Sequence, residues 1–194
     1  MKASKKRSYL LLVACAALFL GASSLRAFDD GFSYDRKFEG KYVTVYCAPG
    51  LDLPRLAPQL NILPTDAILA GRPWKAGDPT DGELAPMLDT LFVQVSDILD
   101  MHLESFKTDI KICGTDKELA GIYKLLFGKD LEGHRAFYIY DLNTIYVAPD
   151  AFRQGAVGHE MSHAIISHYF DVSAPSRVQE VLSLYVEDSL KKKT

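Results

Sequence analysis

Residues 135–163 read RAFYIYDLNTIYVAPDAFRQGAVGHEMSH, a strand pattern that gives way to a helical one. Arg135 to Tyr140 and Thr144 to Ala148 are β-branched and aromatic runs separated by Asp141-Leu142-Asn143, which predicts a β-hairpin. Pro149-Asp150 ends it, and Asp150 is placed to cap a helix reaching to about Tyr169. That helix carries Gly158-His159-Glu160-Met161-Ser162-His163, a full H-E-x-x-H. At about 100° per residue the two histidines stand about 40° apart, one turn above the other, so both imidazoles can address one metal ion. Glu160 is turned about 100° from His159, where it can reach a water on that ion without ligating it. Met161, Ile165 and Ile166 are expected in the core, with Gly155 and Gly158 letting the helix pack closely on the sheet.

A zinc site with two histidines and an open position needs a third protein ligand. The H-E-x-x-H-x-x-G-x-x-H arrangement requires Gly at 166 and His at 169, where this chain has Ile166 and Tyr169. His168 is turned about 180° from His159 and is expected to be a surface or second-helix contact. The remaining route is an acid from the next helix, which Ser176 and Gln179 open as a capping box. Glu180, one turn inside that helix, is the expected ligand. Glu187, two turns further along the same face, competes for that place but suits a solvated acid or one standing behind the ligands, and is expected on the polar side of the helix.

Upstream, Tyr42 to Cys47 and Asp109 to Cys113 read as strands, and Leu88, Leu91, Phe92, Val95, Ile98, Leu99, Leu103 and Phe106 as one amphipathic helix. Thr115 and Glu118 form a capping box for a helix that should stop at Gly128. Seven of the nine prolines fall between residues 49 and 86, so that region should be short helix and loop, with Trp74 either a buried anchor or a cleft-edge contact. The expected class is α+β: a small mixed sheet with a β-hairpin edge packed on helices.

The chain's 194 residues are 48% hydrophobic and 24% charged, which fits one globular domain, expected over residues 28–194. Residues 1–27 have the outline of a Sec-type signal peptide. Lys2, Lys5, Lys6 and Arg7 precede an apolar run from Tyr9 to Ala22, and Ala27 offers a cleavage point. That run would rise about 21 Å as a helix, short of the roughly 30 Å membrane core. No membrane span is therefore expected, and the location implied is the bacterial periplasm or exterior. Leu12-Val13-Ala14-Cys15 also has the form of a lipoprotein signal, so a lipid anchor at Cys15 is the alternative. Removing residues 1–27 takes away five basic residues and no acid, lowering the formal charge from −3 to −8, so nucleic acid is not an expected partner. The basic run Lys191 to Lys193 reads as a solvated helix end. Cys47 and Cys113 can be a disulfide or two buried thiols.

His159-Glu160-x-x-His163 followed by Pro175-Ser176-Arg177-Val178-Gln179-Glu180-Val181-Leu182-Ser183-Leu184-Tyr185-Val186-Glu187 resembles the gluzincin zinc metallopeptidases, particularly compact bacterial peptidase-MA-like domains. Their second motif often reads as a tryptophan-led E-G-L-A-x-Y-V. Here Val178, Val181 and Ser183 depart from it, while Glu180 and Tyr185 keep their places. The close match covers about residues 155–187. The resemblance implies a lobe like the N-terminal half of thermolysin, with the hairpin's outer strand as the upper rim of the cleft. It implies Zn²⁺ on His159, His163 and Glu180, with Glu160 as the base that activates water for peptide hydrolysis. Only 14 residues follow Glu180, so the C-terminal lobe of larger members is expected to be missing and the substrate to be held by less. Oxyanion donors usually come from that lobe; Tyr185 is nominated in their place, with Tyr169 and His134 as alternatives. An extended peptide or protein substrate is expected to add a strand along Thr144 to Ala148. Two other readings remain open: a zinc-binding module that holds a protein partner without cutting it, and a latent enzyme covered by the 49–86 segment or by Cys47.

Overall fold

Short β-branched runs, each buried on at least one face, build the centre of the molecule. The structure is a computed structural model that describes residues 29–71 and 81–192. The expected signal segment with Cys15, Trp74 and the last lysine, Lys193, lie outside the described residues. In chain order come β1 (Arg36–Glu39), β2 (Val43–Cys47), α1 (Leu53–Leu56), a 3₁₀ turn (Ala57–Leu60), α2 (Pro64–Leu69) and α3 (Leu84–Leu99). These are followed by β3 (Thr108–Ile112), α4 (Asp116–Phe127), β4 (Ala136–Ile139), β5 (Thr144–Val147), α5 (Gln154–Tyr169) and α6 (Ser176–Lys192). The strands form one mixed sheet in the order β1-β2-β3-β5-β4. The three central strands run parallel, and each outer strand pairs antiparallel with its neighbour. The α+β expectation therefore holds, hairpin edge included.

Alternation along the strands divides the interior in two. Val43, Val45, Ile110, Ile112, Ile145 and Val147 face a large core closed by α1, α3, α5 and α6. On the other face Tyr146, Cys113 and Phe137 pack with Leu119 and Ile122 of α4. This alternation also decides the cysteine question. Cys47 pairs in register with Ile112 and shares its core, so Cys113, one residue on, belongs to the opposite face. Both are buried, and they are not bonded to each other.

Several local expectations change. The long helix ends at Leu99 because Asp100 takes a left-handed conformation (φ 53°), and Leu103 and Phe106 pack on the core from the following loop. β1, with its exposed Lys37 and Glu39, carries too little apolar signal to be read from sequence. It is positioned from α3: the buried Asp89 carboxylate accepts N–H groups from Lys41 (2.6 Å), Tyr42 (2.7 Å) and Val43 (3.2 Å). A Cβ on Gly40 would lie 2.6 Å from Asp89 Oδ1, so only glycine fits that turn. Ahead of β1, the buried Asp30 accepts hydrogen bonds from Lys111 and Tyr146. Among the described residues no helix is long and apolar enough to cross a membrane.

Candidate metal centre

α5 begins at Gln154 after Arg153, which makes no side-chain cap. Asp150 sits in the preceding 3₁₀ turn and instead pairs with Arg135, which crosses to it from the start of β4. The glycines of α5 press against α6 and α3 rather than the sheet. A Cβ on Gly158 would lie 2.4 Å from Leu190 Cδ1 and 3.6 Å from Val95, and one on Gly155 3.3 Å from Glu187 Cγ. Further along, the Ser162 hydroxyl donates to the His159 carbonyl at 2.6 Å and shares a hydrogen bond with the Ser183 hydroxyl of α6 at 2.5 Å. From Gly158 with Leu190 through Ser162 with Ser183 to His163 with Gln179 the partners run backward along α6, so the two helices are antiparallel and the start of α6 lies beside the middle of α5. Met161, Ile165 and Ile166 are fully buried, as expected.

That packing converges the expected ligands. His159 Nε2 and His163 Nε2 are 3.3 Å apart. Glu180 presents Oε1 at 3.5 Å from the second and Oε2 at 3.7 Å from the first. One ligand atom from each of the three residues can be chosen with all three within 4.8 Å of one another. Ligands about 2.0–2.2 Å from a tetrahedral zinc are separated by roughly 3.3–3.6 Å, so these spacings fit such an ion.

Each outer ring nitrogen faces a side-chain oxygen, an arrangement that favours a proton on Nδ1 and leaves Nε2 for a metal. His163 Nδ1 faces Gln179 Oε1 at 3.3 Å, and the orientation of that amide is fixed because its Nε2 donates to the Ala174 carbonyl at 2.8 Å. His159 Nδ1 faces Glu187 Oε2 at 3.5 Å, in ion-pair range but without a completed hydrogen bond. With the proton on Nδ1, each imidazole turns a lone pair inward. Burial also holds the His163 pKa below its ordinary value, which keeps the ring neutral. Two lone pairs and a carboxylate facing one point repel one another, and a cation between them removes the repulsion. Ser176 and Gln179 therefore do not form the expected capping box. Gln179 is committed to His163, and Glu187 is a partner of His159 and Lys191 rather than a freely solvated acid.

Glu160 lies on the same cleft with a hydrogen bond from the Tyr138 backbone. Burial, reinforced by the nearby Glu180 carboxylate, pushes its pKa up to about 8. A divalent cation would pull it down. The cleft encloses about 430 Å³ and continues from the histidines past β4 to Tyr123 and Phe127 of α4.

Of the three residues nominated to stabilise an oxyanion, only His134 lines this cleft; Tyr185 and Tyr169, 58% and 45% exposed, lie outside its lining. Tyr185 stands about 140° round α6 from Glu180, which accounts for its absence. His168 is partly buried: its Nδ1 donates to the Ala164 carbonyl of its own helix at 2.9 Å, and its ring packs on Phe106 and Tyr140. Thr144 to Val147 is paired on both sides, by β3 and β4, so no strand can add along it; the open edge is β4. Among the described residues of 49–86, none lines the cleft, and Cys47 is sealed in the core. Sequence reading missed Tyr123, Phe127 and Gln179 as parts of the site, whereas Glu187 was within its reach because the seven-residue interval puts it on one helical face with Glu180. Comparison with family models, curated proteins and solved structures finds no match.

Proposed function

We propose that the chain is an exported, zinc-dependent metallopeptidase of gluzincin type, with His159, His163 and Glu180 as ligands and Glu160 as the general base. The observation that carries this reading is the meeting of two imidazole Nε2 atoms, 3.3 Å apart, with the Glu180 carboxylate at the wall of an open cleft. A sheet with a hairpin edge ahead of two antiparallel helices also suits a lobe like the N-terminal half of thermolysin. Zinc in that position supplies Lewis acidity, polarising a substrate carbonyl and making water acidic enough to lose a proton near neutral pH.

Everything else is done by the chain. Glu160 takes the water proton on its carboxylate and passes it to the departing amine nitrogen. The Tyr138 N–H holds Glu160 against β4, so the base keeps its position while its charge changes. Ala148 N donates to Arg135 O, so the backbone groups of residues 135, 137 and 139 face β5 and those of Ala136 and Tyr138 face outward. Because Glu160 takes the Tyr138 N–H, an extended peptide pairs there with the Ala136 N–H and C=O and the Tyr138 C=O, alongside the histidines, and affinity comes largely from its backbone. His134 is the donor placed to meet charge developing on the carbonyl oxygen.

The test is Glu160→Gln beside wild type on a denatured protein substrate, with zinc measured in both. Cleavage should fall by about 100-fold or more while zinc stays at one per chain. Cleavage that survives the substitution would remove Glu160 from the mechanism.

A further inference from the structure

The part of the cleft furthest from the histidines is built by α4, on the opposite face of the sheet from α5. Tyr123 and Phe127 of α4 and Phe137 of β4 form a three-ring cluster, with centroids 4.6, 5.1 and 6.4 Å apart. Leu131 extends this wall. Phe127 is 46% exposed although α4 has a buried face available to it, so the cluster presents apolar surface to the cleft. The cleft reaches both faces because it wraps around β4, the edge of the sheet.

We infer that the α4 wall is a subsite for one large apolar side chain of an extended peptide, adjacent to the residue whose carbonyl faces the histidines. The inference rests on the peptidase reading and names its substrate class. A peptide added to β4 alternates its side chains between the two faces of the sheet, as β4 itself does: Ala136 and Tyr138 belong to the α5 side and Phe137 to the α4 side. The residue presenting its peptide group to the metal ligands therefore has a neighbour that points at Tyr123, Phe127 and Phe137. Among the described residues, no ionisable group other than His134 and the tyrosines lines this side of the cleft, so an acidic or basic side chain would lose hydration there without gaining a charged partner from them.

The probe is a fluorescent ten-residue peptide of Ala, Ser and Thr with a single central Phe, beside the same peptide with Gly in that place. Each is titrated into zinc-loaded Glu160→Gln protein, which binds without cutting. The Phe peptide should bind about tenfold or more tighter, the factor that burying a large apolar side chain carries. Adding Tyr123→Ala and Phe127→Ala should erase the preference with zinc content unchanged. Should that variant fail to fold, Phe127→Ser alone, at a half-exposed ring, reads the same preference. Equal binding of the two peptides, binding of neither, or a preference that persists without the α4 rings would overturn the subsite. Wild-type protein that binds the Phe peptide selectively and never cleaves it would instead overturn the peptidase reading and leave the subsite standing.

Discussion

The side-chain oxygen of Gln179 lies 3.3 Å from Nδ1 of His163, and the same amide is held from behind by the Ala174 carbonyl. The first turn of α6 thus fixes the tautomer of a histidine on α5, one residue before α6 contributes Glu180. Gln179→Ala should weaken zinc binding about 10–100-fold. Competition against a chromophoric chelator measures it, and thermal unfolding of the metal-free protein should change little.

Gly158 tests the packing of the helix pair. Glycine to alanine in a helix interior ordinarily stabilises by about 1 kcal/mol. Here the added methyl meets Leu190, which is fully buried, at 2.4 Å. Overpacking of about 1–3 kcal/mol outweighs the propensity gain, so Gly158→Ala should lower Tm. Gly121→Ala, on α4 with nothing within 4 Å of its Cβ, should raise it.

Asp89 ties α3 to the β1–β2 turn through three backbone N–H groups. Asp89→Ala leaves these donors without their acceptor in a partly buried turn, where water can reach Lys41 but not Val43, at a cost of roughly 2 kcal/mol in urea unfolding. Asp89→Asn keeps one acceptor oxygen and should lose less.

Asp30 gives the molecule a pH dependence separate from the metal centre. Burial alone would raise its pKa, but hydrogen bonds from Lys111, Tyr146 and the Phe32 N–H together outweigh burial and hold it below 3.8. A carboxyl lowered on folding stabilises above its unfolded pKa and loses that contribution as the pH falls through the folded value. The stability difference between wild type and Asp30→Asn should therefore be present at neutral pH and shrink as the pH is lowered past 3.8. A difference that grows on acidification would contradict the Lys111 and Tyr146 contacts. Metal-free protein in urea gives the measurement.

What could be read from sequence was what local geometry determines. The spacing of His159 and His163 is set by helical pitch, and Glu180 needed only a reverse turn and one further helical turn. The hairpin was legible because Tyr138, Ile139, Ile145 and Tyr146 are strong strand formers around a polar turn. Sheet order was not, because pairing of β5 with β3 joins residues far apart in sequence. The substrate edge was accordingly expected on Thr144 to Ala148 when β4 is the outer strand. Asp150 and Gln179 were assigned as caps by residue type. In the fold, Arg135 and His163 claim them first, and neither competitor is close to them in sequence. The placement of α4 on the second face of the sheet, which brings Tyr123 and Phe127 to the cleft, depends on the whole topology.

The central claim is that His159, His163 and Glu180 hold one zinc ion. Metal content and zinc affinity of the purified protein, wild type beside Glu180→Ala, test it most directly. One zinc per chain in wild type, with affinity falling steeply in the variant while the fold is kept, is the predicted result. Wild-type protein that takes up no zinc, or a Glu180→Ala variant that binds it as tightly, would contradict the claim.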